Sequence, residues 1–448
     1  MRSYLIKNIF IVNEGKITHG DVLIQDEQIA KIAPTIDIQG RTIEIDGEGK
    51  YLLPGAIDDQ VHFREPGLTH KADIHHESRA AVAGGVTSFM EMPNTRPPAL
   101  TGELLEDKYS LGAGKSLANY SFFMGVSNDN AEEVIRMNDR KKDVCGVKIF
   151  MGSSTGNMLV DNYLTLDRIF SGSELLIATH CENEQVIREN LQKMIAVKGE
   201  EGLRPSDHPL IRNEEACYSS SLVAVQFAQK YGSRLHILHI TTAKELQLFT
   251  NMLPLEEKRI TAEACVHHLW FSAADYETYG NLIKCNPAIK AAENRAALWE
   301  GLLDGRLDVI ATDHAPHTME EKSGPYLKAA AGIPLVQHGL LMMLEHYRAG
   351  RISLEKIAEK MSHAPAVCFR IKERGYIREG YYADLVIVDM DETTTVTRDS
   401  LLYKCGWSPF EGHRFPAAIR QTFVNGHPVY GNEGFDESKK GRRLQFER

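Results

Sequence analysis

The sequence predicts a (β/α)8 TIM-type barrel with a small β-sandwich built from both chain ends. Three observations carry this. From about residue 54 to 375, apolar strand candidates alternate with segments of helical spacing, and eight strands can be picked out. Residues 1–53 and 376–448 read instead as short strands. With 448 residues, the chain is long enough for a large barrel plus a second unit.

The N-terminal part holds YLIKNIFIVN, DVLIQDEQIAKIA and RTIEIDG, which alternate or run apolar and are broken by Gly20 and Gly40. Barrel strands are expected at 56–62, 87–92, 120–126, 145–150, 175–180, 235–240, 259–265 and 307–313. Helical spacing fills 73–84, 129–140, 182–197, 214–231, 243–253 and 291–304, and returns between 335 and 370. The last part holds ADLVIVDMD and AIRQTFVNGHPVYG, with Asn425-Gly426 as a hairpin signal. The simplest pairing joins both ends into one β unit.

Hydrophobic residues make up 43% and charged residues 25%, an ordinary globular balance. A net charge of -10 with no offsetting basic block argues against a nucleic-acid partner. The short basic run KKGRR at 439–443 reads as a solvated tail. Seven scattered cysteines without a Cys-x-x-Cys pair favour reduced thiols and a cytoplasmic setting. The N-terminus lacks the apolar run of a signal peptide, and no stretch reaches the roughly 18 apolar residues of a membrane span.

Polar residues mark the ends of the barrel strands. His62 follows the first strand, Lys148 lies in the fourth, His180 ends the fifth, His239 the sixth and Asp313 the eighth. In a barrel these positions share one mouth. A lone strand-end His is more often a hydrogen-bonded structural residue than a ligand. A Lys inside an apolar strand must be paired, deprotonated or chemically modified, because burying an ammonium is costly. Together the five suggest two nearby divalent cations. A lysine that has taken up CO2 becomes a carbamate with two oxygens that can bridge them. His180 and His239 would hold one ion, His62 and Asp313 the other. Asp313 would accept the proton of the attacking water and return it to a leaving nitrogen.

These residues resemble the amidohydrolase superfamily and, within it, the dihydroorotases of the long class. The resemblance rests on FREPG (63–67), MPNTRP (92–97), KIFMGSSTG (148–156), KCNPAIK (284–290), ATDHAPHT (311–318) and GWSPFEG (406–412), and spans nearly the whole chain. It implies the reversible, zinc-dependent interconversion of L-dihydroorotate and N-carbamoyl-L-aspartate, the third step of pyrimidine biosynthesis. One or two Zn2+ per chain and a carbamylated Lys148 are expected with it. Arg64, Asn94 and His317 match residues that hold the substrate carboxylate, which suits the planar fork of Arg. Asn286 matches a residue that hydrogen-bonds the ring. A homodimer is the family-based expectation.

Other readings stay open. Arg64 could form an ion pair with Glu65 or Asp58, Asn286 could be a turn residue before Pro287, and His317 a capping or loop His. His267 and His268 after the seventh strand suit packing or support of neighbouring ligands. Residues 318–334 suit a mobile lid or a surface loop. One departure from the family pattern stands out: the first strand ends Gln60-Val61-His62 where His-x-His is expected. The ion at His62 is then weaker, absent, or completed by the Gln60 oxygen or Asp59. Two alternatives follow. One is a non-catalytic homologue acting as a structural partner of aspartate transcarbamoylase. The other is a related cyclic amidohydrolase of allantoinase or dihydropyrimidinase type.

Overall fold

Eight short runs of β-branched and small apolar residues build the core of the molecule. A computed structural model describes residues 3–38, 41–152 and 158–448. Gly40 and the end of the KIFMGSSTG motif therefore lie outside the described residues. The barrel strands are β1 (Ala56–Val61), β2 (Val86–Glu91), β3 (Asn119–Phe122), β4 (Val147–Phe150), β5 (Ile177–His180), β6 (Leu235–Ile237), β7 (Ile260–Cys265) and β8 (Val309–Ala311). Nearly every residue in them is buried, as expected for parallel strands covered by helices on their outer face. Parallel pairing links each strand to the next, with Met124–Gly125 bridging from the end of β3 to β4. The ring closes where Val61 bridges His314 and the His62 N–H donates to the His314 carbonyl at 2.7 Å.

Each predicted strand is present. Two features differ on the helical side. The expected helix at 243–253 is only a single 3-10 turn, Glu245–Leu248. Thr242 Oγ1 and Ser221 Oγ donate to the Glu245 carboxylate, which also takes the Thr241 N–H, so side chains replace a helical ladder there. Conversely, helices Gly102–Lys115 and Tyr163–Gly172 form where no helix was expected.

Nine strands from both chain ends form one hydrogen-bonded sheet. Ser3–Asn13 is its long central member, with a bulge between Ile6 and Ile9. Its first half pairs with Ile43–Asp46 and its second half with Tyr51–Pro54, which in turn meets Leu385–Asp389 from the C-terminal part. The layers enclose a separate core that includes Ile6, Ile24, Leu52, Leu385 and Phe423. Asn425 and Gly426, at φ +50° and +70°, make the tight turn between Ala418–Val424 and His427–Gly431. The basic run at 439–443 is not a solvated tail. Tyr120 N–H donates to Arg442 O, Leu444 N–H donates to Tyr120 O, and Arg443 lies 3.5 Å over the Tyr109 ring. A β-carbon on Gly441 would fall 1.9 Å from the Ala118 carbonyl oxygen, so glycine lets this segment seat against β3.

Asp384 joins the two layers of the molecule. Its buried carboxylate accepts from the Asn119 amide on β3, from the Asn425 N–H at 2.8 Å and from Arg374. Asp384→Ala is expected to destabilise the protein by about 3–5 kcal/mol, because it leaves a buried guanidinium unpaired. Chemical denaturation of the variant against the parent measures this.

Candidate active site

Ten of the residues singled out for chemistry line one cavity at the C-terminal mouth of the barrel. Gln60, His62, Arg64, Asn94, Lys148, His180, His239, Asn286, Asp313 and His317 share a space of about 340 Å3. This is the end of the barrel where loops after the strands build sites. Three of these residues have positive φ: Arg64 at +68°, His239 at +41° and Asp313 at +47°. Side chains with a β-carbon rarely adopt this conformation, at about 1–3 kcal/mol each, and it persists only where the surroundings enforce it. Here it turns three polar side chains out of the strand direction and into the cavity.

His62 Nδ1 lies 2.9 Å from the Asn94 amide oxygen, and its Nε2 lies 3.2 Å from Asp313 Oδ1. With the Nδ1 proton donated to Asn94, Nε2 is left bare toward the cavity. Asn94 thus has a task absent from the sequence reading: it sets the tautomer of His62. On the other side, His180 Nδ1 and His239 Nε2 face each other at 2.9 Å. His180 Nε2 is 3.0 Å from Glu182 Oε2, and Glu182 also pairs with Arg212. Burial alone would raise the Glu182 carboxyl, but Arg212 and His180 hold it down at about 2. An ionised Glu182 accepts the hydrogen bond from Nε2–H and leaves His180 Nδ1 bare. Glu182 was missed in the sequence; the signal was its place two residues beyond His180, on the same strand end. Burial pushes all three imidazoles down and keeps them neutral, the form that ligates metals.

Lys148 is 1% exposed, and among the described residues no carboxylate reaches its ammonium. Its Nζ sits 4.6 Å from the centre of the Phe150 ring. Burial lowers it to about 8, partly opposed by Asp313 and Glu263. Of the three states open to a buried lysine, pairing is absent, which leaves deprotonation or modification. Burial raises Asp313 to about 6, against His267 and Lys148.

Arg64 does not pair with Glu65 or Asp58. Glu65 engages Lys115 and the Ile74 N–H, while Asp58 accepts from Thr312. The buried guanidinium instead donates from Nε to Pro316 O at 3.2 Å and approaches His317 Nε2 at 3.2 Å. The Arg64 N–H donates to Glu91, itself ion-paired with buried Lys108 at 2.7 Å. His317 also meets Lys71 and Glu321, and Trp407 Nε1–H donates to its carbonyl at 2.7 Å. The Asn286 amide oxygen lies 3.1 Å from His208 Nε2.

Residues 318–334 form one wall of the cavity. Thr318 caps the short helix Met319–Lys322, and Ala330, Ala331 and Gly332 face the open space. Buried Lys322 donates to the carbonyls of Lys284, Ala330 and Gly332, and Lys284 donates to those of Tyr326 and Ala329. Asp59 does not reach the His62 ion position. It is fully buried inside the barrel, with Oδ2 3.2 Å from His236 Nε2, and does not line the cavity. Gln60 does line it, with its amide oxygen 3.8 Å from Cys265 Sγ.

The donor set fits a divalent cation. Neutral His180 and His239 nitrogens converge beside Lys148, and bare His62 Nε2 meets a carboxylate oxygen. The His62 pair has an amide where a second imidazole was expected.

The model of the amidohydrolase family matches residues 51–429. A dihydroorotase from Carboxydothermus hydrogenoformans is 34% identical over 437 residues, covering 95% of this chain and 97% of that protein. An allantoinase from Deinococcus radiodurans is 31% identical over 454 residues, covering 98% and 97%. Among solved structures, the L-hydantoinase (dihydropyrimidinase) of Arthrobacter aurescens superposes with a TM-score of 0.91 at 26% identity, covering 99% of this chain and all of that one. No helix among the described residues is long and apolar enough to cross a membrane.

Proposed function

The chain belongs to the amidohydrolase family, and from that premise we propose that it is a dihydroorotase, opening and closing the cyclic amide of L-dihydroorotate. The observation that carries this reading is the Arg64 guanidinium: buried in the cavity wall, with no carboxylate partner among the described residues. A buried guanidinium of this kind calls for an anion, and its fork matches a carboxylate bidentately. Dihydroorotate and N-carbamoyl-L-aspartate both bring one. His317 and Asn94 flank that carboxylate, and Asn286 hydrogen-bonds the ring. The seven free cysteines suit a reducing cytoplasm.

His180 and His239 would hold one zinc ion, and His62 with Asp313 the other. Zinc bound there supplies Lewis acidity toward the amide carbonyl and lowers the pKa of water. Lys148, as a carbamate, would be a ligand to both positions; its free amine would take up CO2 with release of one proton. Burial favours the free amine that this step needs. Asp313 Oδ takes the proton of the attacking water. It then gives that proton to the ring nitrogen as the carbon–nitrogen bond breaks, and the reverse path closes the ring. Arg64 fixes the carboxylate so that the scissile amide lies beside Asp313.

A second reading, hydrolysis of hydantoin-type rings, is favoured by the overlay on the Arthrobacter hydantoinase. Those rings carry no carboxylate for Arg64. Steady-state assays on L-dihydroorotate, hydantoin and allantoin separate the two. We expect the highest kcat/KM on dihydroorotate; turnover of hydantoin alone would move the assignment to the second reading.

Glu182 supports the zinc position through His180. Glu182→Gln is expected to weaken zinc affinity by about 10- to 100-fold. Competition with a fluorescent chelator reads that change without any activity assay.

A further inference from the structure

Behind Gln60 lies a group of donors that the proposed reaction does not use. Cys265 ends β7, and His267 and His268 follow it in the first turn of the helix Val266–Trp270. One donor atom from each lies within 4.8 Å of the others. The side chains are 0%, 1% and 3% exposed. His268 Nε2–H donates to the Pro287 carbonyl at 3.1 Å, which fixes the tautomer and leaves Nδ1 bare. That Nδ1 has no hydrogen-bond partner among the described residues, and on His267 only a weak contact with the Thr312 backbone reaches the ring. Buried imidazole nitrogens without partners are costly and call for a ligand.

The strand opposite is shaped to meet this group. Pairing of β1 with β2 slips between Asp58 and Val61, a bulge that includes Gln60. Bulges re-aim side chains, and this one places the Gln60 amide oxygen 3.8 Å from Cys265 Sγ. Gln60 also lines the main cavity, so it stands between that cavity and the Cys265 group. The Cys265 thiol donates to Glu263 Oε1 at 3.2 Å, which gives its proton a nearby acceptor.

We propose that Cys265, His267 and His268, with the Gln60 amide oxygen as fourth donor, form a separate site for a thiophilic divalent cation such as Zn2+. One sulfur, two imidazole nitrogens and one oxygen suit tetrahedral zinc and do not suit Mg2+ or Ca2+. On binding, the thiol proton leaves to Glu263 and then to solvent, and the metal–sulfur bond forms. The site ties the end of β7 to the end of β1. It shares no ligand with the His180–His239 position and does not depend on which cyclic amide is cleaved.

The test uses full-length, metal-stripped protein titrated with Co2+ alone. A thiolate-to-cobalt charge-transfer band in the near ultraviolet is expected in the parent and in Lys148→Ala, and is expected to vanish in Cys265→Ser and His267→Gln. Absence of the band at saturating Co2+ in folded parent protein would overturn the proposal, as would its persistence in Cys265→Ser. Zinc-edge X-ray absorption of the unmodified holoprotein needs no variant. It should show sulfur at about 2.3 Å in the zinc shell; a shell of nitrogen and oxygen alone would equally overturn the site. Neither readout involves turnover, so failure here leaves the dihydroorotase reading standing, and failure of that reading leaves this one standing.

Discussion

Replacing Asp313 by Ala is expected to lower kcat on dihydroorotate by about 10²- to 10⁴-fold, the usual contribution of a positioned acid–base group. Asp313→Asn should lose activity similarly while gaining stability in the metal-free protein. Burial raises the Asp313 pKa above its ordinary value to about 6. A carboxyl whose folded pKa exceeds its unfolded one weakens the fold once ionised, that is, above about pH 6. The Asn variant escapes this cost, by roughly 3 kcal/mol at pH 7. Its advantage shrinks as pH falls through 6 and is gone below the unfolded value near 3.8. Denaturant curves of the apoproteins at pH 7.5 and pH 4 should therefore diverge and then converge. A merely structural Asp313 would give the opposite sign at neutral pH.

Arg64→Met should cut kcat/KM for dihydroorotate on the order of 10²- to 10³-fold, within the range for losing one side of a buried charge pair. Hydantoin, without a carboxylate, should be affected far less. Arg64→Lys should recover only part of the loss, because an ammonium cannot reproduce the two-pronged contact. Stability should hardly change, since the guanidinium has no carboxylate partner among the described residues. Strong destabilisation with equal losses on both substrates would mark Arg64 as a structural residue instead.

How much of this was legible in the sequence depended on the physical signal at each position. The barrel strands were visible because parallel strands buried on both faces read as apolar runs, and their polar ends stand out against them. His62, Lys148, His180, His239 and Asp313 were found that way, and they line one cavity. The helix Gly102–Lys115 was hidden by three glycines in GELLEDKYSLGAGK. Gly112 is there because a β-carbon would meet the Tyr120 ring at 2.8 Å, a tertiary demand that local propensity does not register. The false helix at 243–253 failed for the opposite reason: its spacing was right, but Thr242 and Ser221 captured Glu245. Asp59 looked like a spare ligand beside His62. The bulge in β1 and its neighbour His236 turn it inward, and neither can be read from spacing. The supporting roles of Glu182 and Asn94 likewise depend on which ring nitrogen each one faces.

The measurement that tests the account most directly is turnover by purified, zinc-replete protein, followed in both directions. The account predicts ring opening of L-dihydroorotate and ring closure of N-carbamoyl-L-aspartate, both lost in Asp313→Ala. No turnover in either direction, from folded protein with zinc bound, would contradict it.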